Sequence, residues 1–79
     1  MRIDKYLKVS RLIKRRTVAN EACDQGRVSV NGKPARASHE VKIGDVIDIA
    51  FGQRNVRVEV LSIAETVQKQ GAGALFKQL

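Results

Sequence analysis

The chain has 79 residues, and its 15 Lys and Arg against eight Asp and Glu give a net charge of +7. A chain of this length buries only about 60% of the surface its unfolded form exposes, so its core is modest and a large catalytic scaffold with a deep interdomain cleft is excluded. One cysteine, Cys23, forms no internal disulfide, and with the single histidine, His39, it supplies no four-ligand zinc site.

The positive charge is concentrated at one end. Residues 1–16 hold Arg2, Lys5, Lys8, Arg11, Lys14, Arg15 and Arg16 against Asp4 alone, a net of +6, whereas the remaining residues have a net of +1. Within this block Ile3, Tyr6 and Leu7 recur at i, i+3 and i+4, with Lys5 and Lys8 turned away from them. That spacing predicts a short helix over residues 3–9, docked on a core and holding its cations in fixed positions. A solvated tail would need no apolar stripe. No apolar signal-peptide region or membrane-length run is found, so neither is expected and the compartment expected is the cytoplasm.

Residues 10–16 read as a basic turn whose Leu12 and Ile13 pack inward. A second helix is expected from about Arg15 to Gln25, with Val18, Ala19, Ala22 and Cys23 on one face and Asn20, Glu21 and Asp24 opposite. Gly26 supplies its left-handed end. Cys23 on the apolar face reads as a small buried hydrophobe, since no neighbour in sequence is an obvious base.

After Gly26 the apolar period changes from about 3.6 to 2. Val28-Ser29-Val30 leads into the hairpin dipeptide Asn31-Gly32, and Lys33-Pro34-Ala35 begins a return strand that Pro34 restricts to an edge or a strand start. Val41 to Ile43 precedes a Gly44-Asp45 turn. Ile47, Ile49 and Phe51 then alternate with Asp48 and Ala50, and after Gly52-Gln53 a further strand carries Val56, Val58 and Val60. Phe51 reads as core. The fold class is therefore α+β: two short N-terminal helices followed by a small antiparallel sheet, in a single domain over residues 1–63. Residues 64–79 read as a loosely ordered C-terminal extension, in which Leu75, Phe76 and Leu79 either form a short amphipathic turn docked on the domain or a partner, or belong to a frayed end.

Catalysis finds little support. His39 lies between Ser38 and Glu40 in a loop, Asp45 and Asp48 read as a turn residue and a solvent-facing strand residue, and no glycine-rich phosphate loop is present. Polyanion binding fits the residues better, because each Lys or Arg that neutralises a phosphate releases counterions and adds affinity without a pocket. Arginine adds a planar fork suited to phosphate. With aromatic content of 4% a base-stacking platform is not expected, so recognition is of the backbone shape of structured RNA or DNA. A DNA-binding or membrane-surface module using the same basic helix is the competing reading, against which Asn20, Glu21 and Asp24 make the second helix a poor recognition helix.

The order of motifs is more specific than the charge. Arg2-Ile3-Asp4-Lys5-Tyr6-Leu7, Arg16-Thr17-Val18-Ala19, Gly26-Arg27-Val28-Ser29-Val30-Asn31-Gly32 and Gly44-Asp45-Val46-Ile47 closely resemble the RNA-binding domain family named after ribosomal protein S-four, over about residues 2–50. The resemblance implies two helices followed by a small curved sheet, with structured RNA bound along the helical pair. The run from Met1 to Thr17 is most similar to a stand-alone group, the RqcP-type bacterial ribosome-quality-control factors. For this chain the likeness implies a non-catalytic protein without cofactor or metal, a monomer that binds large-subunit rRNA and P-site tRNA on large ribosomal subunits carrying a stalled nascent chain, alongside an RqcH-like protein that recruits alanyl-tRNA. It further implies that Arg2 and Arg16 contact large-subunit RNA, supported by Lys5, Lys8, Arg11, Lys14 and Arg15, while Asp4 serves the helix start. The wider family often has serine where this chain has Arg15, so a helix cap is exchanged for a cation. A ribosome assembly factor or ribosome-associated heat-shock-type protein is the alternative within the same class.

Overall fold

The computed structural model describes residues 1–63 and 75–79. Helix α1 spans Ile3–Val9 and α2 spans Arg16–Asp24; the strands are β1 (Val28–Val30), β2 (Lys33–Pro34), β3 (Val46–Phe51), β4 (Arg54–Val60) and β5 (Phe76–Gln78). The strands form one antiparallel sheet in the order β2-β1-β3-β4-β5. Two helices followed by an antiparallel sheet is the predicted architecture.

Period-2 alternation separates the faces of the sheet. The register sets Val28 opposite Ile49 and Val30 opposite Ile47, which in turn oppose Val56 and Val58. Val28, Val30, Ile47, Ile49, Val58 and Val60 are buried and meet Ile3, Tyr6, Leu7, Ala19, Ala22 and Cys23 from the helices. Each large aliphatic side chain so buried contributes roughly 1.5–3 kcal/mol relative to exposure. The opposite face is polar: Ser29, Asp48 and Arg57 lie in cross-strand register, and Arg57 Nε donates to Asp48 Oδ1 at 2.7 Å.

Helix α1 begins without a side-chain cap on its flanking residue Arg2. Its first amides are satisfied by tertiary contacts instead: Ile3 N donates to the carbonyl of His39 at 2.8 Å and Asp4 N to that of Ala37 at 3.3 Å. The loop between β2 and β3 thus passes under the start of α1, anchored by the buried side chains of Ala35, Ala37 and Val41. Helix α2 ends on Gly26 at φ 75°, with Gly26 N bonded to Cys23 O and Arg27 N to Ala22 O, the paired bonds of a Schellman motif. Asn31 (φ 52°) and Gly32 (φ 84°) form the predicted hairpin turn, and the Asn31 side chain also fixes Val46 N and Asp45.

Three expectations are corrected. Val18 is 46% exposed: α2 packs along a narrow stripe of Ala19, Ala22 and Cys23, and Val18 lies about 100° round the helix at its margin. Phe51 is 40% exposed, because it pairs with Arg54 at the hairpin end of β3, past the cover of the helices. Leu75, Phe76 and Leu79, read as either a docked amphipathic turn or a frayed end, instead flank and join a strand: Val58, Glu59 and Val60 pair with Gln78, Lys77 and Phe76 of β5, and Leu75 is buried. The rest of the expected extension, residues 64–74, lies outside the described residues.

Candidate nucleic-acid interface

The cationic block occupies α1, the loop 10–15 and the first turn of α2. Arg2 precedes α1, Lys5 and Lys8 lie on it, Arg11 and Lys14 are in the loop, and Arg15 flanks the start of α2, whose first residue is Arg16. Arg2, Lys8, Arg11, Lys14, Arg15 and Arg16 are exposed, and Lys5 is half-buried. The surface is cationic, and Asp4, Arg16, Thr17, Asn20 and Glu21 line a shallow cavity beside it.

Arg2 and Arg16 come together on one buried carboxylate. Asp4 is 2% exposed, and its Oδ2 lies 3.3 Å from Arg2 Nη2 while its Oδ1 lies 3.5 Å from Arg16 Nη2. Lys5 N donates to Oδ1 at 2.7 Å and Asn20 Nδ2 to Oδ2 at 3.4 Å. Burial by itself raises the Asp4 pKa, but the hydrogen bonds from Asn20, the Lys5 amide and Arg16, with the Arg16 charge, outweigh it and hold the carboxyl below the usual aspartate range. Among the described residues no carboxylate pairs with Lys8, Arg11, Lys14 or Arg15, so their charge is available to an external anion.

The loop carries backbone strain at one of these cations. Arg11 has φ 66°, the left-handed position after a helix where glycine is usual, and its amide bonds the Lys8 carbonyl at 3.0 Å. Ser10, buried, donates its hydroxyl to Leu7 O at 3.2 Å, and Ile13 N bonds the same carbonyl at 3.0 Å, so the loop is pinned at its inner side. Leu12 packs against the core and Ile13 is buried, as the sequence leads one to expect. Arg15 makes no side-chain cap to α2, in keeping with the exchange of a cap for a cation.

Sequence reasoning assigned Asp4 to the helix start, and its bond to Lys5 N agrees. It did not give Asp4 or Asn20 a place among the cations. The signal available was the spacing: Arg16 and Asn20 are four residues apart, on one face of α2, and Asp4 lies between Arg2 and Lys5. Cys23 is buried with its thiol pushed up to about 11 by burial and by the nearby charges of Asp4 and Asp24, which makes it an inert core residue. His39 is in the loop under α1, its Nε2 4.0 Å from Asp45 Oδ2.

Residues 1–47 match the S4 domain family. An RQC P-site tRNA stabilizing factor of Halalkalibacterium halodurans is 56% identical over 77 residues, covering 98% of this chain and 88% of the relative. One of the same name from Bacillus subtilis is 53% identical over 76 residues, covering 96% and 88%. Among solved structures, Heat Shock Protein 15 of Vibrio cholerae superimposes with a TM-score of 0.90 at 28% identity, covering all of this chain and 81% of that one. With two helices that gather their arginines on a shared carboxylate ahead of a five-stranded antiparallel sheet, and with this likeness along nearly its whole length, the chain belongs to the S4 domain family and, within it, to the RQC P-site tRNA stabilizing factors.

Proposed function

We propose that the chain is a non-catalytic RNA-binding factor of bacterial ribosome-associated quality control, which binds large-subunit rRNA and stabilises P-site peptidyl-tRNA on obstructed large subunits. The observation that carries this reading is the convergence of Arg2 and Arg16 on Asp4, within a block in which Lys8, Arg11, Lys14 and Arg15 are exposed. Lys5, Lys8, Arg11, Lys14 and Arg15 extend the contact along the phosphate backbone. Counterion release supplies affinity and the fixed positions of the cations supply shape selectivity. The names of the relatives support the P-site tRNA assignment. In this reading the protein works as a cytoplasmic monomer, beside an RqcH-like protein during C-terminal alanine tailing. No helix among the described residues is long and apolar enough to cross a membrane.

The structural likeness to Heat Shock Protein 15 favours one alternative, a ribosome-associated heat-shock-type or assembly protein that binds rRNA. Ultraviolet crosslinking of the tagged protein in its own cells, with sequencing of the attached RNA and sedimentation of the particles, separates the two. Reads in large-subunit rRNA and tRNA, on particles lacking the small subunit, are expected. Reads confined to precursor or small-subunit rRNA would replace the quality-control reading with assembly.

A further inference from the structure

We propose that Asp4 is the positioning residue of this RNA-binding surface: its buried carboxylate holds the guanidinium groups of Arg2 and Arg16, from two different elements, in one fixed arrangement, and Asn20 completes the set of groups that fix the carboxylate. The inference rests on the RNA-binding reading above. A carboxylate inside a phosphate-binding block repels the ligand, so a binding surface has reason to keep one only where it does something else. Stability is a weak reason, since a buried ion pair is often replaced by apolar packing at no loss. The geometry supplies a better one. Asp4 is 2% exposed, and both of its oxygens are engaged, Oδ1 by Lys5 N and Arg16 and Oδ2 by Arg2 and Asn20. Arg2 and Arg16 each approach it through Nη2 while their side chains stay 47% and 46% exposed, so one end of each fork is tethered and other donors remain for phosphate. Tethering removes rotamer freedom before the RNA arrives, and the entropy lost on binding falls accordingly.

Charge and positioning predict opposite signs, which makes the proposal testable. Asp4→Asn adds one unit of positive charge, and if charge alone set affinity every polyanion would bind the variant more tightly. The test titrates the wild type, Asp4→Asn and the charge-neutral Asn20→Ala with isolated large ribosomal subunits and with heparin, an unstructured polyanion, across a range of salt, after circular dichroism and thermal melting have established folding. Positioning predicts that Asp4→Asn loses about tenfold in subunit affinity and Asn20→Ala about threefold, while heparin binding is unchanged or tighter and the salt slope is kept. A folded Asp4→Asn that holds subunits as tightly as the wild type, or that loses subunits and heparin in proportion, overturns the proposal. Should Asp4→Asn not fold, Asn20→Ala decides, and an unchanged subunit affinity overturns it. A wild type with no preference for subunits over heparin at physiological salt overturns the RNA-binding reading itself and this inference with it.

Discussion

The Tyr6 hydroxyl donates a 2.6 Å hydrogen bond to the carbonyl of Leu75, across 69 positions of the chain and inside the core. It ties the central residue of α1, the helix that carries Lys5 and Lys8, to the segment that leads into β5. The same carbonyl also accepts Leu61 N at 2.9 Å and Ser62 N at 3.2 Å, so removal of the hydroxyl leaves it partnered.

Tyr6→Phe is therefore expected to cost about 1 kcal/mol rather than the larger penalty of a buried orphan. The loss is local: the Leu61 and Leu79 amides, bonded to Leu75 O and Arg57 O, are expected to exchange with deuterium about fivefold faster. Unchanged exchange at both amides would show that β5 is held by its strand pairing with β4 alone.

Arg16→Ala is expected to weaken binding to structured RNA and to reduce the slope of log affinity against log salt by about one unit, because one phosphate contact is removed. A slope equal to the wild type would mean that Arg16 touches no phosphate. The contact would then have to be sought among Lys8, Arg11, Lys14 and Arg15, whose charges are free of the described carboxylates.

The left-handed conformation of Arg11 makes it a candidate for a trade between stability and binding. In Arg11→Gly the steric cost of φ 66° disappears and the entropic cost of glycine replaces part of it, so stability is expected to stay level or rise by up to about 1 kcal/mol. RNA affinity is expected to fall. A lower melting temperature with affinity intact contradicts both halves of the prediction and makes Arg11 a residue of the fold.

Alkaline pH is expected to destabilise the fold in a defined window. Burial, with the charges of Asp4 and Asp24, pushes the Cys23 thiol up to about 11, and burial pushes Tyr6 up to about 12. Both groups titrate lower when unfolded, near about 8.5 and 10. Between the two values the unfolded chain has lost a proton that the folded one still holds, so stability falls as pH rises, first through the Cys23 range and then through that of Tyr6. Chemical denaturation from pH 8 to 12 measures this, and Cys23→Ala is expected to flatten the limb below about 10, where Tyr6 does not yet contribute. A profile flat to pH 11 in the unsubstituted protein rules out the thiol as its source.

Ile49 and Phe51 lie on the same face of β3 but are expected to respond unequally to truncation. Ile49 is 1% exposed, opposite Val28 and Val56, and Ile49→Ala is expected to cost about 2–5 kcal/mol. Phe51→Ala, at the exposed hairpin end, is expected to cost under about 1 kcal/mol. Denaturant midpoints of the two variants compare them directly, and a Phe51→Ala loss as large as that of Ile49→Ala would restore Phe51 to the core.

Local periodicity made most of this architecture legible in the sequence. The i, i+3, i+4 spacing of Ile3, Tyr6 and Leu7 determined α1, the change to period 2 after Gly26 determined the sheet, and Asn31-Gly32 determined the turn, because each depends on backbone preferences and side-chain direction within a few residues. Charge counting likewise found the cationic block. What the sequence could not determine depends on which surfaces meet. Alternation placed Phe51 in phase with the core, but only the extent of the helices decides where cover ends. Nothing in Leu75-Phe76-Lys77-Gln78-Leu79 marks a strand until β4 offers an edge to pair with. Asp4 and Asn20 are sixteen positions apart, and their meeting with Arg2 and Arg16 follows from the packing of α1 against α2, which brings distant side chains within hydrogen-bond reach where no local rule does.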